Sequence, residues 1–239
     1  MPDSDPILSA LSSGTIELKG QFVWGSNYTF LVQVTQGDET RPAVYKPARG
    51  ERPLWDFPEG TLAQREVAAY VVSRALGWDL VPPTVLRPDG PAGAGSLQLF
   101  VDADPERHYF TFTEAEKQRL RPVAVFDLLI NNADRKGGHV LLGESDHLWL
   151  IDHGVCFHAE DKLRTVIWDF VGEPIPRELL AALRRLRQAL LDDDALRTEL
   201  GGLLAAEEVE ALQGRADRLL RSKRFPPPGA DRPYPWPLV

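Results

Sequence analysis

The order of local patterns along the 239 residues constrains the fold more than any other sequence feature. Up to about residue 101, apolar and β-branched residues occur in short runs separated by Gly-containing turns, which predicts antiparallel strands. Beyond it, apolar residues recur at three- and four-residue intervals, which predicts helices. We therefore expect an α+β fold with a strand-rich lobe at 1–101 containing one helix at 61–76, a mainly helical lobe at 102–225, and a Pro-rich C-terminal tail at 226–239.

Turn and capping residues locate the individual elements. Gly77 ends the first helix, and Thr113 with Glu116 has the pattern of a capping box that opens the helical half. The tail could be a polyproline II ligand, but such a segment more often lies across its own domain, which is the arrangement expected here. Strands are expected at 22–24, 28–34, 43–46, 81–86 and 97–101 with a loop at 87–95, a β-hairpin within 131–157, and further helices at 122–132, 176–191 and 205–222.

Charge balance and cysteine content narrow the possible partners. With 27 basic and 35 acidic residues the net charge is −8, which argues against nucleic-acid binding because that depends on Lys and Arg neutralising phosphates. A lone cysteine, Cys156, excludes an intrachain disulfide and fits a reducing compartment. The N-terminus lacks a secretory signal pattern, and the longest apolar run, 123–130, is interrupted by Asp127. We expect a cytoplasmic protein without stable membrane insertion.

Two carboxylates flank the predicted hairpin in the stretch NNADRKGGHVLLGESDHLWLIDHGVCF, residues 131–157. Asp134 follows a buried-looking helix, and Asp152 closes an apolar strand. Such a pair suits phosphoryl transfer, in which one carboxylate accepts the proton of an acceptor hydroxyl and the other holds Mg²⁺. The same chemistry uses a lysine from the sheet that is held by a glutamate on the neighbouring helix, and Lys46 and Glu66 occur in that order.

Each of these residues also has a plain structural interpretation. Lys46 alone could be a solvated lysine at a strand end, Glu66 an exposed helix charge, and Asp134 a turn residue after a helix. Their order along the chain favours the functional interpretation. Arg135 and Lys136 could contact an anionic substrate or solvate their loop, and the substrate role is slightly favoured.

Four stretches resemble the phosphatidylinositol 3-/4-kinase-like family, and within it the type II phosphatidylinositol 4-kinases and their bacterial relatives. They are REVAAYVVSRALGWDLVPPTV, GSLQLFV, VFDLLINNADRKGGH and LIDHGVCF. The resemblance extends from about Gly25 to Phe157. It implies a two-lobed protein-kinase-like fold with an antiparallel-sheet N-lobe and a helical C-lobe, and ATP with Mg²⁺ or Mn²⁺ as cofactors.

The resemblance also implies roles for single residues. Asp134 would be the catalytic carboxylate, Lys46 would contact the nucleotide phosphates with Glu66 as its partner, and Asp152 would bind the metal in the position of the DFG aspartate. The remaining implied nucleotide-binding residues are Gly25, Ser26 and Asn27 in the turn that covers the phosphates, and Gln98, Leu99, Phe100 and Val101 in the hinge against the adenine.

One position departs from the family pattern. His139 stands five residues after Asp134, where the family usually has a metal-binding Asn. Imidazole suits Mn²⁺ or Zn²⁺ better than Mg²⁺, so His139 is a candidate metal ligand and the activity itself is open to question. The leading hypothesis is an ATP- and metal-dependent phosphotransferase with a hydroxyl acceptor, favoured to be soluble. The acceptor could be a small molecule, a lipid head group or a protein. The alternatives are a nucleotide-binding pseudokinase and an AMP-transferring enzyme on the same fold.

Overall fold

An antiparallel sheet of five strands with two helices forms the first half of the molecule. The computed structural model describes residues 5–22, 28–143 and 146–239. The elements are α1 Pro6–Ser13, β1 Thr15–Phe22, β2 Thr29–Gln36, β3 Glu39–Pro47, α2 Leu62–Leu76, β4 Thr84–Gly90 and β5 Gly93–Leu99. The strand order in the sheet is β1-β2-β3-β5-β4, so β3 and β5 lie next to each other.

The two faces of the sheet have different surroundings. Directly opposed residues share a face, and Tyr45 of β3 lies opposite Leu97 of β5 while Lys46 lies opposite Ser96. The face with Tyr45 packs against Leu11 of α1 in a small apolar core. Because side chains alternate along a strand, Lys46 points to the other face, where it contacts α2.

Helix α2 is fixed at both ends. The carboxylate of Glu51 accepts hydrogen bonds from the N–H groups of Leu62 and Ala63 at 3.2 and 3.0 Å, which satisfies donors that the first turn leaves open. The helix ends at Gly77, whose φ of 68° is the left-handed conformation that glycine adopts without strain. These contacts define where the helix begins and ends, and hence the position of Glu66 within it.

A buried arginine connects α2 to the second half of the molecule. Arg65 has only 1% of its surface exposed. Its guanidinium donates to the carbonyl of Cys156 at 2.7 Å and forms an ion pair of 2.7 Å with Glu208. The same group lies 4.9 Å from the ring centroid of Phe57. Every side of the guanidinium therefore meets a partner, as a buried charge requires.

The second half is mainly helical. Its elements are α3 Glu114–Gln118, α4 Arg121–Ile130, β6 Val140–Leu142, β7 Leu148–Leu150, α5 Arg177–Asp192, α6 Asp194–Gly201 and α7 Ala206–Ser222. β6 and β7 form a two-stranded antiparallel sheet. The large apolar core includes residues of α2 as well as of α4 to α7, such as Val72, Phe126 and Leu183. Within the described ranges, no helix has the length and apolar character needed to cross a membrane.

The structure departs from the sequence expectations at several places, including the unexpected helix α6, and residues 23 and 24 of the strand expected at 22–24 lie outside the described residues. The first lobe contains a second helix, α1, and the strand β1, neither of which was expected in addition to the helix at 61–76. β1 is an edge strand with mostly exposed polar residues, so it lacks the alternation that signals a strand. Residues 87–95, expected as a loop, mostly continue β4 and β5. The boundary between the lobes at residue 101 stays a prediction.

Residues 226–239, here called the Pro-rich segment, lie against the helical half. The N–H of Thr165 donates to the carbonyl of Pro233 at 3.1 Å, and the N–H of Gly137 donates to the carbonyl of Leu238 at 2.7 Å. The segment therefore covers part of the loop that follows α4.

Candidate active site

Lys46 lies between two carboxylates from different parts of the chain. Its Nζ is 2.5 Å from Oε1 of Glu66 on α2 and 2.9 Å from Oδ1 of Asp152, which follows β7. The side chain of Glu66 is 4% exposed, whereas that of Asp152 is 49% exposed. The structure thus brings together three residues that were predicted to act jointly, and among them Asp152 has the most exposed side chain.

Mutual attraction sets the charges of this cluster. Burial lowers the pKa of Lys46, but the attraction of Asp152 and Glu66 outweighs burial and raises that pKa above its usual range. Lys46 in turn holds the pKa of Asp152 well below its usual range, against the opposing effect of burial. The site therefore presents a permanent cation beside a permanent anion at neutral pH.

The backbone at Asp152 has an uncommon conformation that Glu66 helps to hold. Its φ is 64°, in the left-handed region, which aspartate tolerates better than most residues. The next N–H, that of His153, donates to Oε2 of Glu66 at 2.9 Å. One glutamate therefore contacts the lysine through one oxygen and the turn that carries Asp152 through the other.

Asp134 lies in the turn after α4. Its N–H donates to the side-chain oxygen of Asn132 at 2.9 Å, and its Oδ2 is 3.0 Å from Nζ of Lys136. Burial raises the pKa of Asp134, Lys136 lowers it, and the negative charge of nearby Asp152 raises it again, so that the net shift is upward. A carboxylate with a raised pKa holds a proton more readily, which suits a group that accepts one.

His139 lies beside Asp152 and is neutral. Burial lowers the pKa of His139 to about 4, although Asp152 opposes this shift. Its Nδ1 is 3.5 Å from the N–H of Lys136, and its Nε2 is 3.3 Å from Oδ2 of Asp152. In this tautomer Nδ1 accepts and the Nε2–H group points at the carboxylate. Binding of a metal through Nε2 requires the proton to move to Nδ1.

A buried ion pair between Arg135 and Asp127 supports the loop that carries Asp134. This ion pair was not predicted. Nε of Arg135 lies 3.0 and 3.1 Å from the two carboxylate oxygens of Asp127, and both residues have 0% of their surface exposed. Thr165 also donates to this carboxylate, at 3.2 Å. The favoured role of Arg135 as a substrate contact is wrong, because its guanidinium faces the interior.

The same guanidinium joins the loop after α4 to the turn that carries Asp152. It donates to the carbonyl of Ile151 at 3.0 Å and to that of His139 at 3.3 Å. Its other terminal nitrogen is 2.8 Å from Nε2 of His153. Arg135 therefore fixes the relative position of the segments that carry Asp134 and Asp152.

The donor set fits a divalent cation only in part. Among the residues that the structure describes, no group of three or more His, Cys, Asp or Glu side chains is arranged to hold a metal. Mg²⁺ in phosphate-transfer sites is usually held by one or two carboxylates, and substrate phosphates and water complete its shell. Asp152, with its half-exposed carboxylate, fits such a shared site, and the charge of Asp134 is close enough to affect it.

The structure describes only some of the residues that were expected to bind the nucleotide. Gly25, Ser26 and Asn27 lie outside the described residues. Gln98 is opposite Val44, so it shares the sheet face of Lys46, but its amide donates to the hydroxyl of Thr84 at 2.8 Å.

The hinge residues use part of their hydrogen-bonding capacity within the protein. The N–H groups of Leu99 and Phe100 donate to the carbonyls of Pro83 and Pro42 at 2.9 and 3.1 Å. The side chain of Leu99 packs against the small core on the α1 side of the sheet. Contacts of Leu99 with an adenine would therefore involve its backbone carbonyl. Val101 follows as a partly buried residue.

Sequence comparisons relate the chain to two groups of proteins. No protein-family model matches it. Protein Rv2133c of Mycobacterium tuberculosis (strain ATCC 25618 / H37Rv) is 44% identical, over 96% of this chain and 94% of that protein. Phosphatidylinositol 4-kinase gamma 4 of Oryza sativa subsp. japonica is 30% identical over 64% of this chain, and phosphatidylinositol 4-kinase gamma 2 of Arabidopsis thaliana is 30% identical over 69%. The chain spans only 33% and 36% of the length of these two plant kinases.

Solved kinase structures share the fold. The Golgi casein kinase with Mn/ADP bound has a TM-score of 0.53 at 18% identity, with coverage of 90% of this chain and 74% of that chain. The Helicobacter pylori proinflammatory kinase CtkA has a TM-score of 0.56 at 13% identity, with coverage of 90% and 94%. Identities this low concern the fold alone. The expectation of a two-lobed kinase-like α+β fold is confirmed.

Proposed function

We propose that the chain, which belongs to the phosphatidylinositol 3-/4-kinase-like family, transfers phosphate from ATP with the help of a divalent cation. It matches the mycobacterial protein over nearly its full length. The relatives and the fold support a kinase-like phosphotransferase in general terms. The observation that carries the finer proposal is the position of Lys46 between Glu66 and Asp152. A fixed cation next to a half-exposed carboxylate is the arrangement that phosphoryl transfer uses to bind and neutralise phosphates.

In this proposal each residue has a separate task. Lys46 contacts the phosphates of the nucleotide, and Glu66 keeps it in place. Asp152 holds Mg²⁺ or Mn²⁺, with His139 as a second candidate ligand, and the bound cation neutralises charge on the phosphates. The Golgi casein kinase structure, which contains Mn and ADP, supports such a pairing for the fold.

Asp134 is proposed as the group that accepts the proton of the acceptor hydroxyl. In the reaction the acceptor oxygen forms a bond to the γ-phosphorus, the bond from that phosphorus to the β-phosphate oxygen breaks, and ADP leaves. The raised pKa of Asp134 favours proton acceptance. Lys136, 3.0 Å from Asp134, places a positive charge where the transferred phosphate would lie.

A second candidate function follows from His139. His139 stands where the family usually has a metal-binding Asn. Its neutral ring contacts one carboxylate oxygen of Asp152, the proposed metal ligand. This observation supports a protein that binds nucleotide without transferring phosphate.

Mass spectrometry of the products separates phosphate transfer from AMP transfer, because the two groups differ in mass.

Variants of the two aspartates test the proposal. Asp134→Ala is expected to lower ATP-dependent transfer or hydrolysis about 10²–10⁴-fold and to keep the thermal stabilisation that ATP with Mn²⁺ provides. Asp152→Ala is expected to lose that stabilisation as well. Asp161→Ala, at a surface ion pair with Arg218, is the matched control and should change neither. Unchanged turnover in both site variants would refute the assignment, and stabilisation by ATP without turnover in the natural protein would favour the second candidate.

A further inference from the structure

The Pro-rich segment lies directly on the loop that carries the proposed catalytic carboxylate. Gly137, three residues after Asp134, donates its N–H to the carbonyl of Leu238 at 2.7 Å. The carbonyl of Pro233 accepts from the N–H of Thr165 at 3.1 Å and from the indole N–H of Trp168 at 3.3 Å. The segment is thus held at two points five residues apart, and one of its donors, Gly137, lies in the loop that carries Asp134.

These donors form one continuous surface with the loop after α4. The N–H of Arg135 donates to the carbonyl of Arg164 at 2.9 Å, and the N–H of Val166 donates to the carbonyl of Arg135 at 3.1 Å. Residues 164–166 therefore run alongside the loop in a short parallel bridge centred on Thr165. A chain that hydrogen-bonds to Thr165 and Gly137 therefore lies against the partner of Arg135 and against a residue three positions after Asp134.

The surface has the chemistry that recognises an extended polypeptide. Its donors are two backbone N–H groups and one indole N–H, and these pair with backbone carbonyls of the bound chain. Aromatic rings line it: Trp168 contacts the chain, and the ring of Phe110 packs against Gly137 so closely that a Cβ there would lie 2.7 Å from it. Aromatic side chains with donors directed at carbonyls are how proteins bind proline-rich chains, whose stiffness lowers the entropy lost on binding.

The bound chain contributes one buried side chain. Pro235 is buried between the two hydrogen-bonded points, whereas its neighbour Trp236 is 89% exposed. Contact with the surface is therefore made mainly by the backbone and Pro235, with the side chain of Val239 near Gly138, and Trp236 points away. Because most contacts are made through backbone carbonyls, polypeptides of different sequence could bind to this surface. A sugar or an inositol ring lacks such carbonyls.

We propose that residues 233–239 occupy the acceptor surface of the enzyme, and that the acceptor that takes their place is an extended polypeptide with a hydroxyl side chain. This inference rests on the proposed phosphotransferase function and names its substrate class. In the described conformation the segment competes with the acceptor, so its release raises transfer to peptides.

Substitutions at two neighbouring positions test whether the segment can be released. Pro235→Glu places a charge at the buried contact, and Trp236→Glu places the same charge at an exposed position as the matched control. Hydrogen exchange of the Gly137 and Thr165 amides is expected to speed up at least about tenfold in Pro235→Glu and to stay unchanged in Trp236→Glu. Trp168→Phe, which removes one donor, is expected to give a smaller increase at Thr165. Unchanged exchange in both Pro235→Glu and Trp168→Phe overturns the inference.

A synthetic peptide of residues 226–239 tests the surface independently of activity. Added to Pro235→Glu, it should restore slow exchange at both amides, whereas the same peptide carrying Pro235→Glu should not. Failure of the natural-sequence peptide to protect either amide overturns the proposed peptide site.

Transfer assays then identify the acceptor class. With labelled ATP, Pro235→Glu is expected to phosphorylate a library of Ser-, Thr- and Tyr-containing peptides at least about tenfold faster than the natural protein or Trp236→Glu. Transfer to phosphatidylinositol vesicles and to inositol should not increase. An increase confined to the vesicles or to inositol, or no increase while ATP is still hydrolysed, overturns this inference and leaves the proposed function standing. Absence of nucleotide binding and turnover in every variant refutes the proposed function instead, while the exchange results still decide where the segment binds.

Discussion

Replacement of Arg135 by methionine should destabilise the protein strongly, because it leaves the buried carboxyl group of Asp127 without its charged partner. The carboxylate now receives Nε of Arg135 at 3.0 and 3.1 Å, and no part of either residue is exposed. Removal of one partner of a buried ion pair costs about 3–5 kcal/mol. At an m value of about 2–3 kcal/mol per molar urea, the unfolding midpoint falls by about 1–2.5 M.

A double-mutant cycle separates the ion pair from the loss of packing. In Arg135→Met with Asp127→Leu neither charge remains, so the double variant should be more stable than the sum of the single effects predicts, by about 1–3 kcal/mol. Arg177→Met, at an exposed position where α5 begins, is the control and should change the free energy of unfolding by less than about 0.5 kcal/mol. Urea unfolding followed by tryptophan fluorescence and by circular dichroism provides the measurement. Additivity of the two single changes within about 0.5 kcal/mol would refute the reasoning.

Two further predictions concern the residues around Lys46. Glu66→Gln keeps the shape of the side chain but removes its charge. We therefore expect the KM for ATP to rise about tenfold, with little change in the KM for the acceptor. Equal changes of the two KM values in steady-state kinetics would contradict this. Burial lowers the pKa of His139 from 6.5 to about 4. Between these pH values the unfolded chain therefore binds more protons than the folded one, and the free energy of unfolding decreases as the pH falls. In metal-free protein His139→Asn should reduce this decrease by up to about 3 kcal/mol between pH 7 and 4, as measured by urea unfolding, and an unaltered pH dependence would contradict the buried neutral state.

The parts of the fold with strong local signals could be predicted from the sequence. Helix α2 ends at Gly77 as expected, and the capping box at Thr113 and Glu116 is present. The hairpin after Asp134 forms as β6 and β7. These features depend on residues that are close in the sequence, which is why a local pattern reveals them.

Features that depend on tertiary contact were missed for physical reasons. Asp127 was noted only as an interruption of an apolar run, although a charge in such a run needs a partner and Arg135 follows eight residues later. That signal could have been used. The position of the Pro-rich segment could not have been read from the sequence, because Gly137 and Thr165 hold it through backbone groups that every residue possesses. Likewise, the contact of His139 with Asp152 depends on how the hairpin folds back.

The buried attachment of Arg65 has a consequence for control of the protein. Kinases of this general build are commonly switched off by an outward swing of the helix that carries the lysine-binding glutamate. Here the residue directly before Glu66 is tied to Cys156 and Glu208 in the opposite lobe, so such a swing would have to expose an uncompensated charge. These contacts therefore hold Glu66 next to Lys46, and under the proposed function we expect regulation to act at the binding site of the acceptor.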